Sequence, residues 1–222
     1  MMESHQLPAV LSVTPEGEGE TVAVVLALPS AEGKAPKRVR ICLLTEQYAD
    51  LAVQAEKISL ERAQELLEAG KLCAAIQRGI GMLAYGNQSV RRLAYKLTAK
   101  GVERAIAETA AAYLAAKGYI RETDTALLRA REGLRKGWGL TRIREDLRAH
   151  GFDAEAIEAV VEELSEVDFA ENCEAMIRKR YGDIPAERPE RQKLTAAMLR
   201  LGYEPEEIRE AMRRIVREKS GT

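Results

Sequence analysis

The stretch "GLRKGWGLTRIREDLRAHGFDAEAIEAVVEEL" (Gly133–Leu164) holds two helical periods parted by a glycine. Leu140, Ile143 and Leu147 recur at the spacing that puts side chains on one helical face. Gly151 then suits the left-handed position that stops a helix, because it has no Cβ to strain there. Asp153 is a good N-cap, since its carboxylate can accept from the first free amides of the next helix. From there Ile157, Val160, Val161 and Leu164 make a second apolar stripe.

Outward from this stretch the same frame returns twice, in "VRRLAYKLTAKGVERAIAETAAAYL" and in "RQKLTAAMLRLGYEPEEIREAMRRI". Gly101, Gly151 and Gly202 are spaced 50 and 51 residues apart. Eight residues before each glycine stands Leu93, Ile143 or Leu194, and four before stands Leu97, Leu147 or Met198. One residue after stands Val102, Phe152 or Tyr203, and thirteen after stands Leu114, Leu164 or Ile215. Pro205 fits the first helical position in the third copy. A further helix precedes each pair, over about 71–85, 123–136 and 167–181. Each three-helix unit has a small core, so the units should stack.

The first 45 residues differ. "AVLSVTP", "TVAVVLALP" and "KRVRICLL" read as strands, with "EGEGE" as the first turn. In "SLERAQELLEAG", Ser59 caps a helix that Gly70 should stop. A second helix, "LCAAIQRGIGMLAYG", carries small residues that would let another helix come close. The expected architecture is mainly α: three tandem three-helix repeats forming an elongated curved array, preceded by a small N-terminal antiparallel β-sheet. The expected boundaries are 1–45 for the β-rich region, 46–70 for connecting helices, and 71–118, 119–166 and 167–222 for the repeats.

The 222 residues carry 34 basic and 35 acidic side chains, a net charge of -1, whereas a wholesale nucleic-acid binder is usually basic. Cys42, Cys73 and Cys173 are far apart and odd in number, which points to free thiols in a reducing compartment. No secretory leader pattern opens the chain, and no run approaches the ~18 apolar residues of a membrane span. A soluble, cytoplasmic protein with no membrane association is expected.

Catalytic patterns are missing. His5 lies near the chain start, and His150 ends a helix, where an imidazolium would favour the carbonyl end. The charges from Asp153 to Glu174 are all acidic and read as a solvated face. "RGIGMLAYG" lacks the Lys-Ser or Lys-Thr and the preceding strand of a phosphate loop. A non-enzyme without cofactor or metal is expected. The basic residues say more. Arg129, Arg131, Arg135, Lys136, Arg142, Arg144 and Arg148 cluster around Trp138, the only tryptophan. Arg142 and Arg144 avoid the apolar stripe and should face water. Arg91, Arg92 and Lys96 occupy similar places in the first copy, and Arg178, Lys179 and Arg180 add a basic helix end to the third. Arginine and tryptophan are favoured anchors of binding surfaces.

The segment "YIRETDTALLRAREGLRKGWGLTRIREDLRAHGFDAEAIEAVVEEL" resembles the central repeat of the RecX family, bacterial regulators of the RecA recombinase. The resemblance rests on the basic run Arg131 to Lys136, on Gly137 and Gly139, on Arg142 with Ile143, and on Gly151. It extends from about Lys71 to about Val216, and the N-terminal strands resemble an extension that some members carry. It departs at "YGNQSVRRL", at the alanine-rich "ERAIAETAAAYL" and at the insertion "GDIPAERPE". It implies a monomeric, non-enzymatic protein that binds the RecA nucleoprotein filament along its groove. There it would restrain filament growth, ATPase and strand exchange. The expected contact surface is Arg135, Lys136, Trp138, Arg142, Arg144 and Arg148, helped by Arg91, Arg92 and Lys96, with weak direct DNA binding left open. The alternative is a helical-repeat DNA- or RNA-binding module, or a scaffold, that acts independently of RecA.

Overall fold

A computed structural model describes residues 7–30 and 35–220; His5 lies outside them. Among the described residues there are three strands and ten helices. They form two compact units, one up to Gly86 together with Leu93–Tyr119, the other Asn87–Arg92 together with Ile120 onward.

The first unit opens with β1 (Ala9–Glu16), β2 (Thr21–Leu28) and β3 (Lys37–Leu44), an antiparallel sheet in that order. The register pairs Val22 with Leu43, Val24 with Ile41 and Leu26 with Val39, so these side chains share a face. Val22, Val24, Leu26 and Leu43 close a core with Val10, Val53 and Leu66. After α1 (Thr45–Asp50), α2 (Leu60–Ala84) starts where expected, with the Ser59 Oγ accepting from the Arg62 amide at 3.1 Å.

Gly70 does not stop α2, which runs unbroken for 25 residues, so the expected boundary between residues 70 and 71 falls inside a helix. The physical reason lies in packing. A Cβ on Gly70 would stand 2.8 Å from the Ile41 Cβ, so this glycine lets the helix lie against β3. Gly79 does the same toward α4 (Arg104–Ala116): its Cβ would come within 2.6 Å of the Leu114 Cδ1. Ala107, Ala110 and Ala111 on α4 are fully buried, so the alanine-rich sequence makes a thin, close contact. Between them, α3 (Val90–Ala99) begins in the second unit and ends in the first.

The second unit holds α5 (Glu122–Arg135), α6 (Leu140–Ala149), α7 (Ala154–Glu163), α8 (Phe169–Tyr181), α9 (Arg188–Arg200) and α10 (Pro205–Ser220). Its core is continuous across the middle and last copies of the repeat. Ile143, Leu147, Phe152, Ile157, Val160 and Leu164 are buried together with Ile177, Leu194, Met198, Tyr203, Ile208 and Ile215.

The three repeat glycines have φ of +86° at Gly101, +77° at Gly151 and +88° at Gly202. The next amide then turns back onto the helix: Val102 donates to the Leu97 carbonyl at 3.1 Å, Phe152 to Leu147 at 3.2 Å and Tyr203 to Met198 at 3.3 Å. These are the apolar residues that recur one after and four before each glycine. The main-chain bond is the one that closes a helix over its own last turn. Gly118 and Gly137 close α4 and α5 in the same way.

Candidate partner-binding surface

The turn "KGWGL" joins α5 to α6, and each residue has a separate task. Gly137, at φ +74°, ends α5, and the Trp138 amide donates back to the Gly133 carbonyl at 3.0 Å. Gly133 makes room for the indole: a Cβ there would stand 2.9 Å from the Trp138 Cε3. Over the indole ring stand two cations, the Lys136 Nζ at 5.1 Å and the Arg142 Cζ at 4.6 Å from its centroid. Each is drawn to the negative face of the ring.

Gly139 fixes this turn to the end of α9. Its amide donates to the Leu201 carbonyl at 2.8 Å, and the Thr141 amide donates to Gly202 at 3.3 Å. A Cβ on Gly139 would lie 2.2 Å from the Gly202 carbonyl oxygen, so only glycine fits there. The Tyr203 hydroxyl donates to the Gly137 carbonyl at 3.0 Å, and burial holds that phenol above its ordinary pKa. Arg142 lays its guanidinium on the same helix end, donating to the Arg200 carbonyl at 3.2 Å.

The other end of α6 repeats the joint. Ser89 stands 50 residues before Gly139, at the start of α3, and its hydroxyl donates to the His150 carbonyl at 2.7 Å. Arg91 crowds Gly151, with its Cβ 3.0 Å from where a glycine Cβ would stand. Glu122 braces both sides, accepting from the Val90 amide at 3.3 Å and the Asp153 amide at 3.2 Å. Burial pushes the Glu122 carboxyl up, opposed by those two amides.

The expected site residues fall into groups. Lys136, Trp138 and Arg142 are brought together at the start of α6. Arg135 and Arg148 are exposed, but Arg142 and Arg144 are half-buried rather than facing water. Arg142 is held down by the Arg200 carbonyl. Arg144 sits about 160° around the helix from it, beside the apolar stripe, and its Nε is buried without a partner. Arg91 and Arg92 belong to the second unit, at the start of α3, while Lys96 falls in the first. Arg135, Arg144 and Arg148 have no ion-pair partner among the described residues.

Two further arginines of the basic cluster have structural partners. Arg131 pairs with Glu163 at 3.3 Å. Arg129 forks onto Asp146, with its Nη2 3.0 Å from Oδ1, and also donates to the His150 Nε2 at 2.7 Å. An arginine can only donate, so Nε2 accepts and Nδ1 carries the proton toward the Asp146 carbonyl at 2.7 Å. Sequence reasoning missed Ser89, Glu122 and Tyr203 as parts of the joints. The 50-residue offset from Ser89 to Gly139 was the available signal. Among the described residues no three metal-ligating side chains converge, and no helix is long and apolar enough to cross a membrane.

A family model described as "RecX, third three-helix domain" matches residues 166–212. The chain is 35% identical over 139 residues to "Regulatory protein RecX" of Xanthomonas axonopodis pv. citri (strain 306), a match over 62% of this chain and 85% of that one. It is 33% identical over the same shares to the protein of that name from Stenotrophomonas maltophilia (strain R551-3). Among solved structures, "Crystal structure of regulatory protein RecX" is similar with a TM-score of 0.69 at 16% identity, covering 90% of this chain and 97% of that one. "Crystal structure of RecX from Lactobacillus salivarius" is similar with a TM-score of 0.56 at 15% identity, over 65% of this chain and 96% of that one.

Proposed function

This chain belongs to the RecX family, and from that premise we propose that it binds the RecA–DNA filament and restrains its growth, ATPase and strand exchange. It acts by binding alone, from the cytoplasm, with no cofactor. The supporting observation is the half-buried Trp138 under Lys136 and Arg142, on a turn pinned through main-chain bonds to the end of α9. An anchor already fixed in place loses little freedom when a partner arrives. Beyond it, Arg135 and Arg148 are exposed and carry no ion pair among the described residues, and Arg91 lies beside Gly151 at the other end of α6.

An arginine fork binds a carboxylate or a phosphate through two hydrogen bonds, so acidic RecA side chains and groove phosphates are both suitable targets. Charge across the chain favours the protein target. With a net charge of -1 and a long acidic run from Asp153, bare DNA should be held weakly while the filament is held well.

The test measures RecA ATPase and strand exchange on single-stranded DNA, with and without the protein. It adds one double variant, Arg135→Glu with Arg148→Glu. Neither residue carries an ion pair among the described residues, so the variant should melt like the parent. The restraint on RecA should weaken at least about tenfold, as expected when anchors worth more than 1 kcal/mol are reversed. A folded double variant that restrains RecA like the parent would remove this surface from consideration. Binding to bare DNA as tight as to the filament, with a steep salt dependence, would favour a nucleic-acid module acting without RecA.

A further inference from the structure

We propose that the outer edge of β3 takes up an extended acidic segment of a partner protein, which adds a strand to the three of the sheet. Two hydrogen bonds fix which main-chain groups face outward there. The Thr45 amide donates to the Glu20 carbonyl at 3.1 Å, in register with the β2–β3 pairs. Opposed residues of an antiparallel pair bond to each other at every second position. Val39, Ile41 and Leu43 therefore bond to β2, while Arg38, Arg40, Cys42 and Leu44 turn their amides and carbonyls away from it. The Leu44 amide follows this parity, donating to the Gln47 Oε1 at 2.9 Å.

The opposite edge of the sheet is closed. On β1 the register slips between Val10 and Ser12, and Pro15 has no amide hydrogen. The chain before α2 covers the start of that strand: the Val10 amide donates to Glu56 at 2.8 Å, and the Ile58 amide to Pro8 at 2.9 Å. A bulge, a proline and a covering segment all protect a sheet edge from stray pairing. β3 has no bulge and no proline, since its register is unbroken from Lys37 to Leu44. α2 meets the far end of β3, where Gly70 lies against Ile41, while Lys37, Arg38 and Arg40 are exposed. Among the described residues, no main-chain hydrogen bond engages Arg38 or Arg40 on the outer side.

Charge selects the occupant of this edge. Two copies of β3 paired with each other would bring Lys37, Arg38 and Arg40 against the same cations, and like charges directly opposed are destabilising. An acidic strand is attracted instead. Arg40 already engages Glu16, whereas Lys37 and Arg38 have no ion pair among the described residues. The two faces of the sheet set the partner's pattern. Val39 and Ile41 lie half-buried on the face of the core, and Arg38 and Arg40 lie on the other. A strand laid alongside would place carboxylates opposite the arginines and β-branched apolar side chains opposite Val39 and Ile41. Main-chain bonds would supply the affinity and this alternation the choice of segment. β3 belongs to the first unit and Trp138 to the second, so the surface proposed for the filament is not involved.

The probe is a fluorescein-labelled peptide, Glu-Val-Glu-Val-Glu-Val, titrated against the full chain by anisotropy. Three relatives accompany it: one N-methylated on its glutamates, one N-methylated on its valines, and Lys-Val-Lys-Val-Lys-Val. The unmethylated acidic peptide and the valine-methylated one should bind. Methylating the glutamates removes the amides that face Arg38 and Arg40, and should weaken binding at least about tenfold. The lysine peptide should fare no better. Hydrogen exchange, read residue by residue, gives a second measurement on the unaltered chain. Without peptide, the Arg38 and Arg40 amides should exchange fast and those of Val39 and Ile41 slowly. Bound acidic peptide should slow the first two. The inference is overturned if Arg38 and Arg40 are already protected in the free chain, or if the acidic peptide does not bind. It is equally overturned if both methylated peptides lose binding alike, or if lysine in place of glutamate leaves binding unchanged.

Discussion

At the scale of single residues, the glycines divide by what surrounds them. Gly118 has φ +77° with nothing within 4 Å of an added Cβ, so Gly118→Ala should cost only the left-handed strain, about 1–2 kcal/mol. Gly139 has an ordinary φ of -78°, yet its Cβ would meet the Gly202 main chain at 2.2 Å. Backbone cannot swing aside, so Gly139→Ala should cost more than about 3 kcal/mol. Urea unfolding of the two variants checks this, and a Gly139→Ala protein no weaker than Gly118→Ala would refute the joint. Asp168 makes a different residue-scale case. It caps α8, accepting from the Glu171 amide at 2.9 Å, and also accepts from Arg214 at 2.8 Å. The amide first and the guanidinium second hold its carboxyl below the usual range. A lowered folded-state pKa gives stability that is present above the unfolded value and is lost as pH falls through the folded one. Asp168→Asn keeps a cap but cannot ionise, so parent and variant melting temperatures should differ at neutral pH and converge on acidification. Curves that stay parallel down to acid would show that the pairing adds nothing.

At the scale of elements, the helices were legible because their apolar spacing is local. The residues four before and one after each repeat glycine were read as a pattern, and they are the positions that close each helix. Leu147 is fully buried at the centre of one such helix, and Leu147→Ala should cost about 2–5 kcal/mol in a thermal or urea melt. An unchanged midpoint would mean that the face was misassigned. Two things were not legible. Gly70 looks like Gly101 in sequence, but it packs on Ile41, 29 residues earlier, and no nearby residue announces that. Likewise, Arg129 meets Asp146 across 17 residues and a turn, so a basic cluster counted along the chain overstates the charge left free.

At the scale of the whole molecule, 34 basic side chains stand against 35 acidic ones. Few counterions would be released on binding naked DNA, so anisotropy titrations on single-stranded DNA should show weak binding with a shallow salt slope. A steep slope, with many phosphates neutralised, would contradict this. Sequence alone pointed to the Trp138 neighbourhood, since a lone tryptophan amid arginines is conspicuous, but it could not sort the cations. Which of them stand by the indole depends on how the start of α6 meets the end of α9, a contact across some sixty residues. That contact has an evolutionary consequence. The Gly139 and Thr141 amides bond to the Leu201 and Gly202 carbonyls, and at the far end the Ser89 hydroxyl bonds to the His150 carbonyl. Between Gly139 and Gly202 the donors and acceptors are both main-chain atoms, so this part of the joint asks chiefly that those two residues carry no side chain. Mutational drift can rewrite the surrounding surface, and with it the choice of partner, while the joint stays where it is.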